Sequence, residues 1–462
     1  APFQVFQRDV DTGTITCRAR LTGEGVIRAR VLKDGKPLDG LDWREIGRVQ
    51  DGKWSGKITG VPTGGPYVVE IDLAQSTTVP VENVLVGDLW ILAGQSNMQG
   101  VGDMVNVETP HPLVHMFESR YQWAVAEEPL HRLLESPNPV HHLLMNPKAT
   151  PEDIERNRKA PRKPVAKGTG LGLPFAKELV RRHNIPIGLV PCAHGGTSMQ
   201  QWDPAKKSEG GRSLYGAMLD RFHAVGGKVR GVLWYQGESD ASPERQPQYR
   251  EAMKRFIAEV RQDFNDPDLP FYLVQISRVT TVRTDPLVWS AVREDQRLLE
   301  REVPNVRTVS AIDLELDDLI HIGTEGLKVL GRRLANIADR HVYGNRTLRD
   351  GPRLKSVRLE KPGVIRVTFD EVNGRLSPEM HIAGFSLRDE KGNEGPDFYD
   401  VKVDPDRPDT LLCQYYAELK DDLKLWYGFG LNPYCNLTDS ENMGVCAFGP
   451  IEIERPATQP AK

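Results

Sequence analysis

The sequence predicts an α/β protein in which a parallel sheet, covered by helices on both faces, is flanked by a β module at each end of the chain. In residues 88–345, short apolar runs without alternation take turns with longer segments whose apolar residues are spaced by three and four. Runs of the first kind are typical of strands buried on both faces, and segments of the second kind are typical of amphipathic helices. Before and after this region the pattern is short and β-like.

The two ends of the chain predict the β modules. In residues 1–87, GVIRARVLKDGKPL alternates apolar and polar residues and turns at Asp34-Gly35, and YVVEIDL repeats the same period of two. This pattern predicts an antiparallel, sandwich-like module. In residues 346–455 the β pattern returns in RLKSVRLEKPGVIRVTFDEV, TLLCQYYAEL and LKLWYGFG. Residues 456–462 are expected to be a disordered tail.

The central region predicts a five-stranded parallel sheet. Its strand candidates are DLWILAG, IPIGLVPCA, VRGVLWYQ, PFYLVQIS and NVRTVSAI. The helix candidates between and after them are LGLPFAKELVRRH, SLYGAMLDRFHAVGG, ERQPQYREAMKRFIAEVRQDF, LVWSAVREDQRLLERE and TEGLKVLGRRLANIADRH. Residues 101–165 interrupt the alternation after the first strand and are rich in proline, histidine and charge. An irregular insertion of this length is more often a functional loop than a packing element.

The composition excludes several classes of protein. Of the 462 residues, 39% are hydrophobic and 27% are charged, which argues against global disorder. Sixty Lys and Arg against sixty-four Asp and Glu give a net charge of −4, so neither nucleic acid nor a membrane surface is an expected partner. No apolar run is long enough to span a membrane.

The cysteines and the first residue bear on where the protein is found. Five cysteines are too few for a disulfide scaffold, and a single bridge among Cys413, Cys435 and Cys446 is left open. The first residue is Ala1, which fits a mature chain whose secretory signal has been removed. We therefore expect a secreted or periplasmic protein.

Groups that can carry chemistry follow four of the predicted strands. Ligands of open parallel sheets bind at the carboxyl ends of the strands, so functional side chains are expected at these positions. The segments that follow the strands are Gly94-Gln95-Ser96-Asn97, His194-Gly195-Gly196-Thr197, Gln236-Gly237-Glu238 and the stretch from Asp318 to His321. The topology thus brings a hydroxyl, two glycines, an amide with a carboxylate, and an acid-histidine pair toward one edge of the sheet.

These groups fit nucleophilic catalysis. A serine hydroxyl needs a general base and a third group that orients the base, and Ser96, His321 and Asp318 can fill these roles. An oxyanion needs preorganised donors, which the N–H of Ser96, the N–H of Gly195 or Gly196, and the amide of Gln236 could supply. Glu238 is an alternative to Asp318 as the acid.

Each group also has a purely structural interpretation. Ser96 could be only a helix N-cap, the glycine pair only a tight turn, and His321 only a surface histidine. Gln236 and Glu238 could be solvated loop residues. Joint placement after successive strands favours a shared function over four independent structural causes.

Substrate contacts are predicted close to the same edge. Gln95 and Asn97 flank Ser96 and are predicted to bind substrate. His194 either contacts substrate or packs under the glycine turn. Trp202 either stacks on the substrate or packs in the core. His141-His142 lacks a carboxylate or cysteine at a convincing ligand spacing, so we expect no metal and no organic cofactor.

The motifs GQSNM, GGT, WYQGES and DDLIH resemble those of the SGNH-hydrolase superfamily, in its sialate O-acetylesterase-like and acetylxylan esterase-like branch. The resemblance covers about residues 84–343 and extends more loosely to the flanks. It implies a flavodoxin-like, three-layer αβα catalytic domain with Ser96 as nucleophile, His321 as base and Asp318 as its acid. It also implies a serine esterase that removes O-acetyl groups from a carbohydrate through an acyl-enzyme.

Two other functions stay open. One is a lipid or aryl esterase of the same superfamily, which the polar composition and the lack of an evident amphipathic lid disfavour. The other is a carbohydrate-binding protein with a degenerate site, against which the presence of Ser96, Asp318 and His321 argues. The sequence predicts neither the acetylated sugar nor the oligomeric state.

Overall fold

The computed structural model of the protein describes residues 1–20, 24–50, 53–73, 77–280 and 284–455. The predicted disordered tail, residues 456–462, lies outside the described residues. The N-terminal strands are β1 (Val5–Gln7), β2 (Thr12–Arg20), β3 (Val26–Lys33), β4 (Lys36–Pro37), β5 (Arg44–Arg48), β6 (Lys53–Pro62), β7 (Gly64–Leu73) and β8 (Thr77–Gly94).

The N-terminal strands form two groups around a small apolar core. β2 pairs antiparallel with β6, while β3 pairs antiparallel with β4, β5 and β7. Alternate residues of each group point inward, among them Ile15 and Ile58 from one group and Val31 and Val69 from the other. The period of two in the sequence thus corresponds to a sheet with one buried face.

Strand β8 continues from this module into the centre of the protein. It is 18 residues long. Residues 77–86 pair antiparallel with β7, and residues 88–94 pair in parallel with two strands of the central sheet. The predicted boundary between residues 87 and 88 therefore falls inside one strand. We propose to keep the three-part division of the chain, with β8 shared by its first two parts.

The central region contains α1 (Ser96–Gln99), β9 (Gly102–Asp103), β10 (Val114–Phe117), β11 (Trp123–Val125), α2 (Pro139–Met145), α3 (Pro151–Lys159), β12 (Lys167–Thr169), α4 (Gly172–His183), β13 (Ile187–Pro191), α5 (Leu214–Ala224), β14 (Gly231–Tyr235), α6 (Gln246–Asp263), β15 (Phe271–Val274), α7 (Pro286–Glu302), β16 (Val306–Val309) and α8 (Thr324–His341). The structure has a strand and a helix at each position where the sequence predicts one.

The sheet is larger than predicted. Its strand order is β11-β10-β13-β8-β14-β15-β16. The five predicted strands are parallel neighbours, but β10 adds a sixth parallel strand and β11 pairs antiparallel with it at the edge. Both extra strands come from residues 101–165, so the prediction that this insertion is a functional loop and not a packing element is wrong for these two segments. Its segments are too short to show a periodic pattern.

The strand register places helices on both faces of the sheet. Ala93 of β8 lies opposite Trp234 of β14, so Trp90, three residues earlier in β8, faces the other side. Trp90 packs against Phe175 of α4, and Trp234 packs against Phe256 of α6. Since α4 also packs on α8 and α6 on α7, the helices form one layer on each face.

The C-terminal part forms a separate apolar core. Its strands are β17 (Arg353–Lys361), β18 (Val364–Asp370), β19 (Leu376–Ser377), β20 (Phe385–Arg388), β21 (Phe398–Asp404), β22 (Arg407–Tyr415), β23 (Lys424–Tyr427), β24 (Thr438–Asp439) and β25 (Phe448–Ile451). The sheet β17-β18-β22-β21 and the sheet β20-β23-β25 are both antiparallel and enclose this core.

Two features of the C-terminal part bear on the predictions. The buried guanidinium of Arg293 in α7 donates to the carbonyl oxygens of Gly428 and Gly430 at 2.9 and 2.6 Å, which fixes this part against the central region. All five cysteines are free thiols, so the bridge left open among Cys413, Cys435 and Cys446 is not formed.

Candidate active site

The Ser96 turn lies where β8 meets the short helix α1. Gly94 has φ +133°, and a Cβ at this position would lie 2.2 Å from the carbonyl oxygen of Tyr235, so only glycine fits. Gln95 occupies the N-cap position, and Ser96 is the first helical residue. The N-cap interpretation of Ser96 is therefore wrong. Its side chain is partly exposed and, within the described residues, makes no hydrogen bond.

The structure joins Asp318 to His321. Nδ1 of His321 lies 2.9 Å from Oδ2 and 3.0 Å from Oδ1 of Asp318, whose Oδ1 also accepts from the backbone N–H of Ile320 and of His321. Partial burial acts to raise the pKa of Asp318, but the hydrogen bonds from His321 and from these N–H groups hold it well below its ordinary value. Asp318 is therefore an anion that orients the ring, with Nε2 left available.

Asn97 connects this pair to the Ser96 helix. Its Oδ1 accepts from the N–H of Ile322 at 3.0 Å, and its Nδ2 donates to the carbonyl of Ile320 at 3.4 Å. These two bonds hold the residues immediately before and after His321. The structure thus brings the His321 loop beside Ser96, although no hydrogen bond joins the two side chains. Asn97 is buried, and these two bonds together with one to Glu238 engage its side-chain amide, which differs from the prediction that it binds substrate.

Glu238 does not contact His321 by a hydrogen bond. Its Oε1 accepts from Nδ2 of Asn97 at 2.8 Å, and its Oε2 is buried without a partner among the described residues. Burial raises the pKa of this carboxyl. The geometry therefore favours Asp318 over Glu238 as the orienting acid. Asn97 connects Glu238 to the loop that carries His321.

The expected oxyanion donors are arranged differently from the prediction. Nε2 of Gln236 donates to the carbonyl oxygen of Thr197 at 3.0 Å and also to Oδ2 of Asp240. Both amide hydrogens are used inside the protein, and the side chain is completely buried, so Gln236 cannot donate to an oxyanion. Instead it connects the GGT turn to the loop after β14.

The two glycines also differ from each other. The N–H of Gly195 donates to Oε1 of Gln99 at 2.8 Å. Gly196 has φ +70° and is exposed, and within the described part of the chain its N–H has no acceptor. A Cβ on Gly195 would lie 3.4 Å from Cβ of Ser96, so the glycine turn lies directly against the serine. Gly196 is the glycine whose N–H is available.

Gln95 directly precedes Ser96 in the chain. Its Oε1 accepts from the N–H of Ser239 at 3.2 Å and from that of Gly237 at 3.5 Å, which anchors the side chain to the loop after β14. Its Nε2 donates to no described residue and is not among the buried polar atoms that lack a partner. The Nε2 donors of Gln95 are thus free, in the residue next to the serine.

Two further substrate predictions are not supported. Trp202 is completely buried, packs edge-on against Trp234 and donates from Nε1 to Oγ1 of Thr197 at 3.0 Å. It is a core residue and cannot stack on a sugar. His194 is also buried: its ring stacks on His141, with the two Nδ1 atoms 3.0 Å apart. Burial lowers the pKa of His194 to about 4, so it packs under the turn as a neutral ring.

Sequence reasoning missed the residues that hold the motifs in place. Gln99 and Asp240 fix the glycine turn, and Lys167 contacts Asp318 from the end of the insertion. Gln99 and Asp240 lie within or beside the motifs and could have been found there. Lys167 has no such signal, because 151 residues separate it from Asp318.

Within the ranges that the structure describes, no cluster of three or more His, Cys, Asp or Glu side chains has a metal-binding arrangement. In the same ranges, none of the helices combines the length and the apolar character that a membrane span requires.

Known proteins match the region of the chain that contains this site. A family model described as carbohydrate esterase, sialic acid-specific acetylesterase, matches residues 86–340. A probable carbohydrate esterase of Arabidopsis thaliana is 31% identical over 270 residues, which cover 54% of this chain and 88% of that protein. The sialate O-acetylesterase of Mus musculus is 24% identical over 395 residues, 69% of each chain.

One solved structure matches almost the whole chain. It is a carbohydrate acetylesterase from Xanthomonas citri, 23% identical, and the match covers 97% of each chain with a TM-score of 0.68. At this identity the likeness shows the fold, including the β modules on both sides of the central sheet.

Proposed function

The chain belongs to the carbohydrate esterases of the sialic acid-specific acetylesterase family, and from that membership we propose that it removes O-acetyl groups from a sugar through an acetyl-serine intermediate on Ser96. Members of such a family are carboxylic ester hydrolases. The mechanism and the roles of single residues are our proposal.

The contact that carries this proposal is the one between Asp318 and His321. A carboxylate 2.9 Å from Nδ1 selects the tautomer in which Nε2 can accept a proton. Asn97 ties the loop on both sides of His321 to the helix that begins at Ser96. The hydrogen bond between Nε2 and the serine forms when substrate is bound, as is common in enzymes whose free form has long catalytic contacts.

The reaction proceeds in two steps, acylation of Ser96 and hydrolysis of the acetyl-serine. Oγ of Ser96 attacks the acetyl carbonyl carbon while Nε2 of His321 takes its proton, and the tetrahedral intermediate expels the sugar oxygen, which receives that proton. Water then attacks the acetyl-serine, His321 again takes and returns a proton, and acetate leaves. Asp318 stays ionised throughout and stabilises the imidazolium.

We assign the oxyanion site to the N–H of Ser96, the N–H of Gly196 and Nε2 of Gln95. Each of these donors lacks an acceptor among the described residues. Gln95 directly precedes Ser96 in the chain, and the turn that contains Gly195 lies against Ser96. Gln95 replaces Gln236 in this role, because both amide hydrogens of Gln236 are engaged with Thr197 and Asp240.

Gln95→Ala and Gln236→Ala are expected to have different effects. Loss of one oxyanion donor lowers kcat by about 10²- to 10³-fold with little change in KM, so this is the result expected for Gln95→Ala. Gln236→Ala leaves buried partners unsatisfied and is expected to lower the free energy of unfolding by about 1–3 kcal/mol. The measurements are steady-state kinetics and urea unfolding, with Gln200→Ala, at an exposed position, as control. A large fall in kcat for a fully stable Gln236→Ala protein would reverse the assignment.

The substrate proposal is an O-acetylated sugar, and acetylated sialic acid is the first candidate because the matched relatives bear that name. The test is a panel of acetylated sialic acids, xylans and pectins, with acetate release as the readout. Rapid acid quenching with intact-mass measurement is expected to reveal one acetyl group on Ser96. Activity on lipid esters alone would reject the sugar assignment. Export from the cytoplasm and a role in polysaccharide degradation stay predictions, which cell fractionation can test.

A further inference from the structure

Lys167 lies at the end of the insertion, where the chain returns to the active site. It is the first residue of β12, which pairs antiparallel with β9, and its partner in the register is Asp103. Nζ of Lys167 lies 3.3 Å from Oδ2 of Asp318, 3.2 Å from Oδ1 of Asp103 and 3.4 Å from the carbonyl oxygen of Val101. The ammonium thus bridges the base of the insertion and the Asp318–His321 pair.

The base of the insertion is itself fixed to the His321 loop. The N–H of Asp103 donates to Oδ2 of Asp317 at 2.8 Å, and the carbonyl of Asp103 accepts from the hydroxyls of Thr169 and Thr324. These contacts hold the ribbon of β9 and β12 against both ends of the segment that carries Asp318. Lys167 is therefore placed by backbone geometry and not only by its own flexible side chain.

We propose that Lys167 is a positioning residue that acts on His321 through Asp318 and sets the pH below which the activity falls. This inference rests on the proposed function. Oδ1 of Asp318 is held by two backbone N–H groups, and Oδ2 is held by Lys167, so the carboxylate has one orientation toward the ring. The same ammonium shares Oδ2 of Asp318 with Nδ1 of His321, so its positive charge acts on the ring at short range, and its removal changes the electrostatic field in which the ring works as a base.

The ammonium is suited to this role because it stays charged. Partial burial acts to lower the pKa of Lys167, but its hydrogen bonds to Asp103 and Asp318 raise it overall. Lys167 is 37% exposed, so solvent and salt screen its effect on the ring. A modest, salt-dependent effect on the pH profile is therefore expected.

Other charged groups surround the pair and stay constant when Lys167 alone is changed. Asp317 lies next to Asp318 along the chain, Glu238 lies behind Asn97, and Arg278 pairs with Glu315 on the loop that leads to Asp318. Asp103 shares the ammonium. A shift of the pH profile on substitution of Lys167 can thus be assigned to the removed ammonium.

The experiment compares Lys167→Met with Lys167→Arg and with Lys177→Met. Lys177 is a control because it also forms an ion pair at a partly exposed position, but with Glu108. The readout is kcat/KM for an aryl acetate between pH 5 and 9 at low and high salt. For Lys167→Met we expect the midpoint of the acid limb to rise by about half a pH unit to one unit at low salt, and by less at high salt. Lys167→Arg is expected to keep the wild-type midpoint, as is Lys177→Met.

An unchanged midpoint in Lys167→Met, or an equal shift in Lys177→Met, would overturn this inference. If Lys167→Met does not fold, judged by circular dichroism, Lys167→Gln is measured in its place and the same outcomes decide. Ser96→Ala separates this inference from the proposed function. If that variant is inactive while the midpoint does not move, only the role of Lys167 fails. If Ser96→Ala is fully active, the proposed function fails.

Discussion

Ser96→Ala is expected to lower kcat for acetyl ester hydrolysis by at least about 10⁴-fold. The substitution removes the only atom that forms a covalent bond to the acetyl group in the proposed mechanism, while the oxyanion donors and the substrate site stay in place. KM is therefore expected to change little. The measurement is acetate release from an acetylated sugar and from an aryl acetate.

The fold should tolerate this change, because the Ser96 hydroxyl makes no hydrogen bond to the described residues and the side chain is partly exposed. Ser208→Ala, at an exposed position in the turn Pro204–Arg212, is the matched control and is expected to be as active as wild type. Activity within a few-fold of wild type in a folded Ser96→Ala protein would show that another group is the nucleophile.

Asp318→Asn is expected to lower kcat by about 10³- to 10⁴-fold. An amide at this position can present its NH₂ to Nδ1 of His321, which favours the tautomer whose Nε2 carries a proton and cannot act as a base. The ion pair with Lys167 is lost at the same time. The measurement is single-turnover hydrolysis of an aryl acetate, which isolates the acylation step.

Glu238→Gln serves as the comparison for Asp318→Asn. Its side chain forms a hydrogen bond with Asn97 and none with His321, and burial already raises its pKa, so loss of the charge should cost about tenfold or less. If instead Glu238→Gln loses much more activity than Asp318→Asn, Glu238 is the acid that supports the histidine and the assignment must be exchanged.

The parts of the fold that could be predicted are those that leave a local pattern in the sequence. A strand buried on both faces, such as β14, is an unbroken apolar run, and α8 repeats its apolar residues every three or four positions. β10 has no comparable signal. It is four residues long, contains a histidine, and joins the sheet through pairing with β13, a contact between distant parts of the chain.

The site shows the same division. The turn at Ser96 and the spacing between Asp318 and His321 are local, and the structure brings these groups together where the sequence places them. The role of Gln236 could not be read in this way, because an amide after a strand can point toward solvent or toward the interior. Its direction is set by the carbonyl of Thr197 and the carboxylate of Asp240. Trp202 is a similar case, since its indole nitrogen is satisfied by Thr197 inside the core.

The shared strand β8 has a consequence for how the protein unfolds. Removing the N-terminal module would leave half of an 18-residue strand without neighbours, and that half would present unpaired backbone groups beside the apolar residues Val84 and Val86. The same strand ends at Gly94, two residues before Ser96. Heat or denaturant that separates β7 from β8 therefore loosens the strand that holds the nucleophile. The module and the active site should lose their structure in one cooperative step.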